Sequence, residues 1–137
     1  MVDVEFVLPW VEKAEDDISA ALYLAEKMKP APIGIICFHC QQAAEKYLKA
    51  FIVFNDHEPP KTHDLIEIMK LCNNFNANYS LLFPKCEYLL PFATRTRYPG
   101  ASDPDDEDMK RALIYAQEII DFVKSSMPSE YTQPADK

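Results

Sequence analysis

Residues 33–54 read IGIICFHCQQAAEKYLKAFIVF. Apolar side chains at Ile33, Ile36, Cys37, Cys40, Ala44, Tyr47, Leu48, Phe51 and Phe54 recur at the three-and-four spacing of one helix face. A helix of this length, about 33 Å at 1.5 Å per residue, with such a face belongs in a core. The other face carries Gln41, Gln42, Glu45, Lys46 and Lys49, close enough along the helix to converge on one strip. Glu45 and Lys49 stand four apart in the favourable order, which on a surface is worth a few tenths of a kcal/mol, about 0.3–0.5. The strip is either a site or a wetted surface, and spacing alone leaves both readings open.

On the N-terminal side, Val7, Trp10, Ala14, Ile18, Ala21, Leu22, Ala25 and Met28 make a heptad-like stripe that predicts a first helix over Phe6–Met28. Glu12, Glu15, Asp16 and Asp17 fall mostly off it, toward water. Pro30 and Pro32 end the helix, because proline has no N–H and its ring clashes one turn back. The short connection makes the first two helices antiparallel neighbours.

On the C-terminal side, NDHEPPKTH is a loop, and Thr62 is the expected cap of a short helix over Asp64–Phe75 with Leu65, Ile68, Met69 and Cys72 inward. A fourth helix is expected over Tyr79–Thr94, with Tyr79, Leu82, Phe83, Cys86, Leu89, Leu90 and Ala93 inward and kinks at Pro84 and Pro91. Asp103-Pro104 reads as an N-cap and first helical residue. The acids at 105–108 then meet the positive end of a fifth helix running to about Ser126 on Met109, Ala112, Leu113, Ala116, Ile119, Ile120 and Val123. The expectation is an all-α, up-and-down bundle of four long helices and one short one over residues 1–127, followed by a disordered tail over 128–137.

Composition agrees with that class. The 137 residues include 48% hydrophobic and 26% charged side chains and only two glycines, few for a sheet protein with many tight turns. There is no basic-then-apolar leader and no apolar run of the roughly 18 residues a membrane span needs, so a cytoplasmic protein without a membrane role is expected. In that compartment Cys37, Cys40, Cys72 and Cys86 are expected as buried, reduced thiols. A net charge of −8 disfavours a general nucleic-acid binder. Residues 46–97, however, carry seven Lys/Arg against five Asp/Glu, so an anion site belongs in the middle of the chain.

Cys37-Phe38-His39-Cys40 has soft ligands at close spacing, but helical geometry turns His39 away from the two thiols and no second ligand pair follows, so no metal and no cofactor is expected. His39, His57 and His63 are the candidates for proton chemistry. His63, between the expected cap Thr62 and Asp64, has a competing reading as part of a helix start. Arg95 and Arg97, with Tyr98 beside them, offer planar forks for phosphate or carboxylate next to an aromatic plane.

In combination, KAEDDISAALYLAE, CFHCQQAAEKYLKAFI, KTHDL and ATRTRYPG before an acidic fifth helix resemble the HEPN domain family over about Val7–Met127. The resemblance implies a helical bundle that commonly forms a homodimer and is often encoded beside a minimal nucleotidyltransferase in a toxin–antitoxin-like pair. Many such domains are metal-independent ribonucleases whose motif is an arginine followed four to six residues later by a histidine. Arg95 and Arg97 stand in that neighbourhood, yet all three histidines precede them. Without that imidazole the usual acid–base assignment does not carry over. The expectation is therefore a non-catalytic nucleotide-binding and interaction module for an ATP- or GTP-class ligand. In it Lys46, Lys49, Arg95 and Arg97 meet phosphates, His63 and Tyr98 touch sugar or base, and Gln41, Gln42 and Glu45 order the surface. The alternative is a degenerate ribonuclease acting on RNA, with Arg95 or Arg97 holding phosphate and His63 as base.

Overall fold

α1 (Val4–Lys27) and α2 (Ile33–Phe54) form an antiparallel hairpin in the computed structural model, which describes residues 2–94, 99 and 102–133. α2 has the borders its periodicity predicts. α1 buries Val7, Val11, Ala14, Ile18 and Ala21, a stripe rotated slightly from the expected one, leaving Trp10 half-buried and Leu22 and Met28 exposed. Ala14 and Ala21 on α1 and Ala43, Ala44 and Ala50 on α2 are fully buried, and small contacts let two helix axes approach closely.

The chain leaves α2 through a Schellman turn, in which Asp56 N–H donates to the Val53 carbonyl at 2.9 Å and His57 N–H to the Ile52 carbonyl at 3.2 Å. Asp56 occupies the left-handed position of that turn, with φ 61°, where glycine is the usual residue. α3 (Leu65–Asn73) then begins at Asp64, not at Thr62. The Asp64 carboxylate accepts the N–H groups of Ile66 at 2.9 Å and Glu67 at 3.2 Å, and the Thr62 hydroxyl accepts the Asp64 N–H one step earlier. Leu65, Ile68, Met69 and Cys72 are buried as expected.

The expected fourth helix is divided into a 3-10 turn at Ala77–Leu82, α4 (Phe83–Leu89) and a second 3-10 turn at Leu90–Ala93. Pro84 and Pro91 are each the second residue of their segment, where the missing N–H is harmless, whereas inside a continuous helix each would remove a hydrogen bond and clash one turn back. This shift turns Phe83 outward and Phe92 inward. α5 (Asp106–Ser125) starts from Asp105, not Asp103. Asp108 N–H donates to Asp105 Oδ1 at 2.8 Å and Asp105 N–H donates to Asp108 Oδ2 at 2.9 Å, a reciprocal capping box.

Where the sequence suggests a disordered tail, Ser129–Tyr131 forms a turn. The Tyr131 hydroxyl donates to the Val2 carbonyl at 2.7 Å, and its ring meets Phe54 edge to face. Residues 134–137 lie outside the described part. The bundle thus has three long helices and two short ones among the described residues, with no strand.

α1, α3, α5 and the Leu90–Ala93 turn all pack on α2, which is the central rod. Ile36, Leu48, Ile119 and Ile120 are fully buried around it, each contributing about 1.5–3 kcal/mol of burial free energy. All four cysteines are buried and outside any disulfide. Desolvation raises the Cys40 and Cys72 thiols far above their ordinary range and the Cys86 thiol to about 12.

Candidate functional site

The polar strip of α2 is not a wetted face. Gln41, Glu45 and Lys49 follow one another at four-residue intervals, so their side chains line up along the helix, and the segment leading into α3 covers them. Glu45 and Lys49 side chains are 5% and 6% exposed, a burial that charges tolerate only when paired and hydrogen-bonded. Lys49 Nζ donates to Glu45 Oε2 at 3.2 Å, and Gln41 Nε2 donates to Glu45 Oε1 at 3.2 Å. Gln42 Nε2 in turn donates to Gln41 Oε1 at 2.7 Å, which fixes the orientation of that amide.

His63 closes the cluster from outside. Its Nδ1 lies 3.1 Å from each Glu45 carboxylate oxygen, and Gln41 Nε2 also donates to its main-chain carbonyl at 3.2 Å. The ring is therefore held by its side chain and its backbone while remaining 69% exposed. The Asp64 cap fixes the chain immediately after it. Thr62, the residue before His63, lines a cleft of about 410 Å³ together with Pro60, Glu67, Lys70, Leu71 and Asn74.

Lys46 and Gln42 stand at the edge of the strip, half-buried. Lys46 is paired with Asp17 of α1, and the other Asp17 oxygen lies 2.8 Å from His39 Nδ1. The Tyr47 hydroxyl donates to Glu15 at 2.9 Å, and Lys124 of α5 pairs with the same carboxylate at 3.1 Å. Burial first, then the Glu15 charge, pushes the Tyr47 hydroxyl far above its ordinary range.

Two expectations are corrected by this geometry. Lys49, expected to meet phosphate, is enclosed and paired with Glu45, its side chain 6% exposed. Asp17 and Glu15 point at α2 rather than at water. The signal for that was present: a hairpin folded about Pro30 sets residue 17 level with the stretch from His39 to Lys46. Arg95, Arg97 and Tyr98 lie outside the described residues. Cys37 and Cys40 are in the core while His39 turns to Asp17, and among the described residues no three His, Cys, Asp or Glu side chains are grouped to hold a metal.

The family model of the HEPN domain matches residues 7–126, most of the chain. The chain belongs to the HEPN family. Two solved structures share the HEPN bundle. TT1696 from Thermus thermophilus superposes with a TM-score of 0.71 at 23% identity, covering 88% of this chain and 98% of its own. ST0689, described as an archaeal HEPN homologue, superposes with a TM-score of 0.65 at 26% identity, covering 92% of this chain and 98% of its own. No curated protein matches the chain. Within this HEPN bundle no described helix is long and apolar enough to cross a membrane.

Proposed function

We propose that the chain is a nucleotide-binding and interaction module that carries out no chemistry itself. It acts as a cytoplasmic homodimer beside a minimal nucleotidyltransferase in a toxin–antitoxin-like pair. The observation that carries the ligand half of this reading is an exposed histidine held at two points over a buried Glu45–Lys49 pair and next to a cleft. Holding an imidazole this firmly at the surface lowers the entropy lost when a ligand is met. In this reading His63 touches sugar or base, and Lys70 at the cleft meets phosphate together with Arg95 and Arg97. Tyr98 stacks, and Gln41, Gln42, Glu45 and Lys49 act beneath the surface. Lys46, tied to Asp17, takes a secondary part.

Titration calorimetry with ATP, GTP, AMP and GMP tests the ligand half. Saturable binding of at least one is expected, weakened about tenfold, or 1.4 kcal/mol, by His63→Ala. Absence of heat with all four overturns it. Co-purification and mass measurement test the pairing, which fails if the chain is recovered only by itself.

One observation favours a second reading, a ribonuclease without the usual motif: a carboxylate on Nδ1 with the other ring nitrogen outward is also how a general base is oriented. Cleavage of single-stranded RNA, lost in His63→Ala and kept in the exposed-surface variant Lys61→Ala, would establish it.

A further inference from the structure

We propose that His63 is a hydroxyl-recognising group, and that the Glu45 cluster makes it prefer ribonucleotides to their deoxy forms. This rests on the nucleotide-binding reading and names the part of the ligand that the histidine reads. An ionised carboxylate can only accept hydrogen bonds. Glu45, paired with Lys49 and taking a further bond from Gln41, is such an acceptor, and both its oxygens face His63 Nδ1 at 3.1 Å. Nδ1 therefore carries the proton in the neutral ring, and Nε2 keeps a bare lone pair.

Nε2 has no partner among the described residues. A lone pair at the surface takes O–H or N–H donors and repels phosphate oxygens. A nucleotide offers donors on its sugar and on its base. The neighbouring cleft has apolar walls at Pro60 and Leu71 and is lined also by Thr62, Asn74, Glu67 and Lys70, surroundings with acceptors for a base's own donors and a cation for the phosphate. That leaves the sugar for His63, and the ribose hydroxyl is the donor that separates ribo from deoxyribo ligands. Glu45 is then a positioning residue, acting through the ring it orients.

Two measurements on the full chain decide this. Imidazole 15N resonances at neutral pH are expected to show His63 protonated at Nδ1 and bare at Nε2; the opposite tautomer overturns the proposal whether or not a nucleotide binds. Calorimetry with AMP and GMP against their 2′-deoxy forms is expected to show about a tenfold loss on removing that hydroxyl. The loss should vanish in His63→Asn, whose amide can still meet Glu45 but has nothing in the Nε2 position. Equal affinity for ribo and deoxy ligands overturns the proposal and leaves the nucleotide-binding reading standing. Failure of every nucleotide to bind overturns both.

Discussion

Asp17 and Glu45 each hold one lysine and one histidine Nδ1, yet the two clusters behave as different devices. Asp17 sits on α1 and its partners, His39 and Lys46, on α2; the three side chains are 12%, 28% and 25% exposed. That cluster spends its hydrogen bonds in clasping two helices. Glu45 and Lys49 share one helix and are buried, and only His63 reaches water. The difference lies in where the charge is enclosed. Enclosing the ion pair and exposing the imidazole turns a carboxylate, a lysine and a histidine from a clasp into a platform.

Removing a carboxylate should separate the two most sharply. Glu45→Ala leaves Lys49 charged and unpaired in the interior, and denaturant unfolding should show a loss of about 3–5 kcal/mol. Asp17→Ala, with its partners partly in water, should lose about 1 kcal/mol. Equal losses would erase the distinction. A Glu45→Leu, Lys49→Met double change should cost much less than Glu45→Ala, because no charge is stranded.

The buried thiols give a baseline that neither cluster controls. Desolvation raises Cys86 from an ordinary 9.0 to about 12, and Cys40 and Cys72 shift in the same direction. Above about pH 9 the unfolded chain releases thiol protons that the folded chain keeps, so the unfolded state binds fewer protons and stability must fall as pH rises from 9 toward 12. Thermal unfolding across that range should show the decline in wild type and in Asp17→Ala, and a smaller decline in Cys86→Ala relative to its own value at pH 8.

Smaller effects should divide the histidines. His39→Ala takes a bond from the clasp and is expected to lower stability by about 1 kcal/mol. His63→Ala, at an exposed position, should change stability by less than about 0.5 kcal/mol while changing ligand affinity. Reversal of that order would make His63 the structural residue. Asp56→Gly, in the turn that leads toward His63, relieves the left-handed strain and should add about 1 kcal/mol, read as a higher midpoint of thermal unfolding.

Much of this fold is legible before any coordinates. α2 is bounded by prolines on one side and a polar, proline-rich loop on the other, so its periodicity has clear ends. Caps are harder: Thr62 and Asp64, like Asp103 and Asp105, are alternative oxygen acceptors two residues apart, and only the register of the helix against the core decides between them. The site was half legible. His63 and the Gln41–Lys49 strip stand out by residue type, but burial of the strip depends on a loop returning over it. A helix enclosed on nearly all sides carries polar residues that a two-faced reading assigns to water. Glu15 and Asp17 were missed because their contacts depend on the register of a hairpin, which periodicity along one helix does not carry.

The three histidines make one measurement decisive. Imidazole resonances of the full chain followed during titration with a ribonucleotide should show His63 shifting to saturation while His39, committed to Asp17, stays in place. A shift at His39 or His57 with His63 unmoved would place the ligand elsewhere and contradict the account.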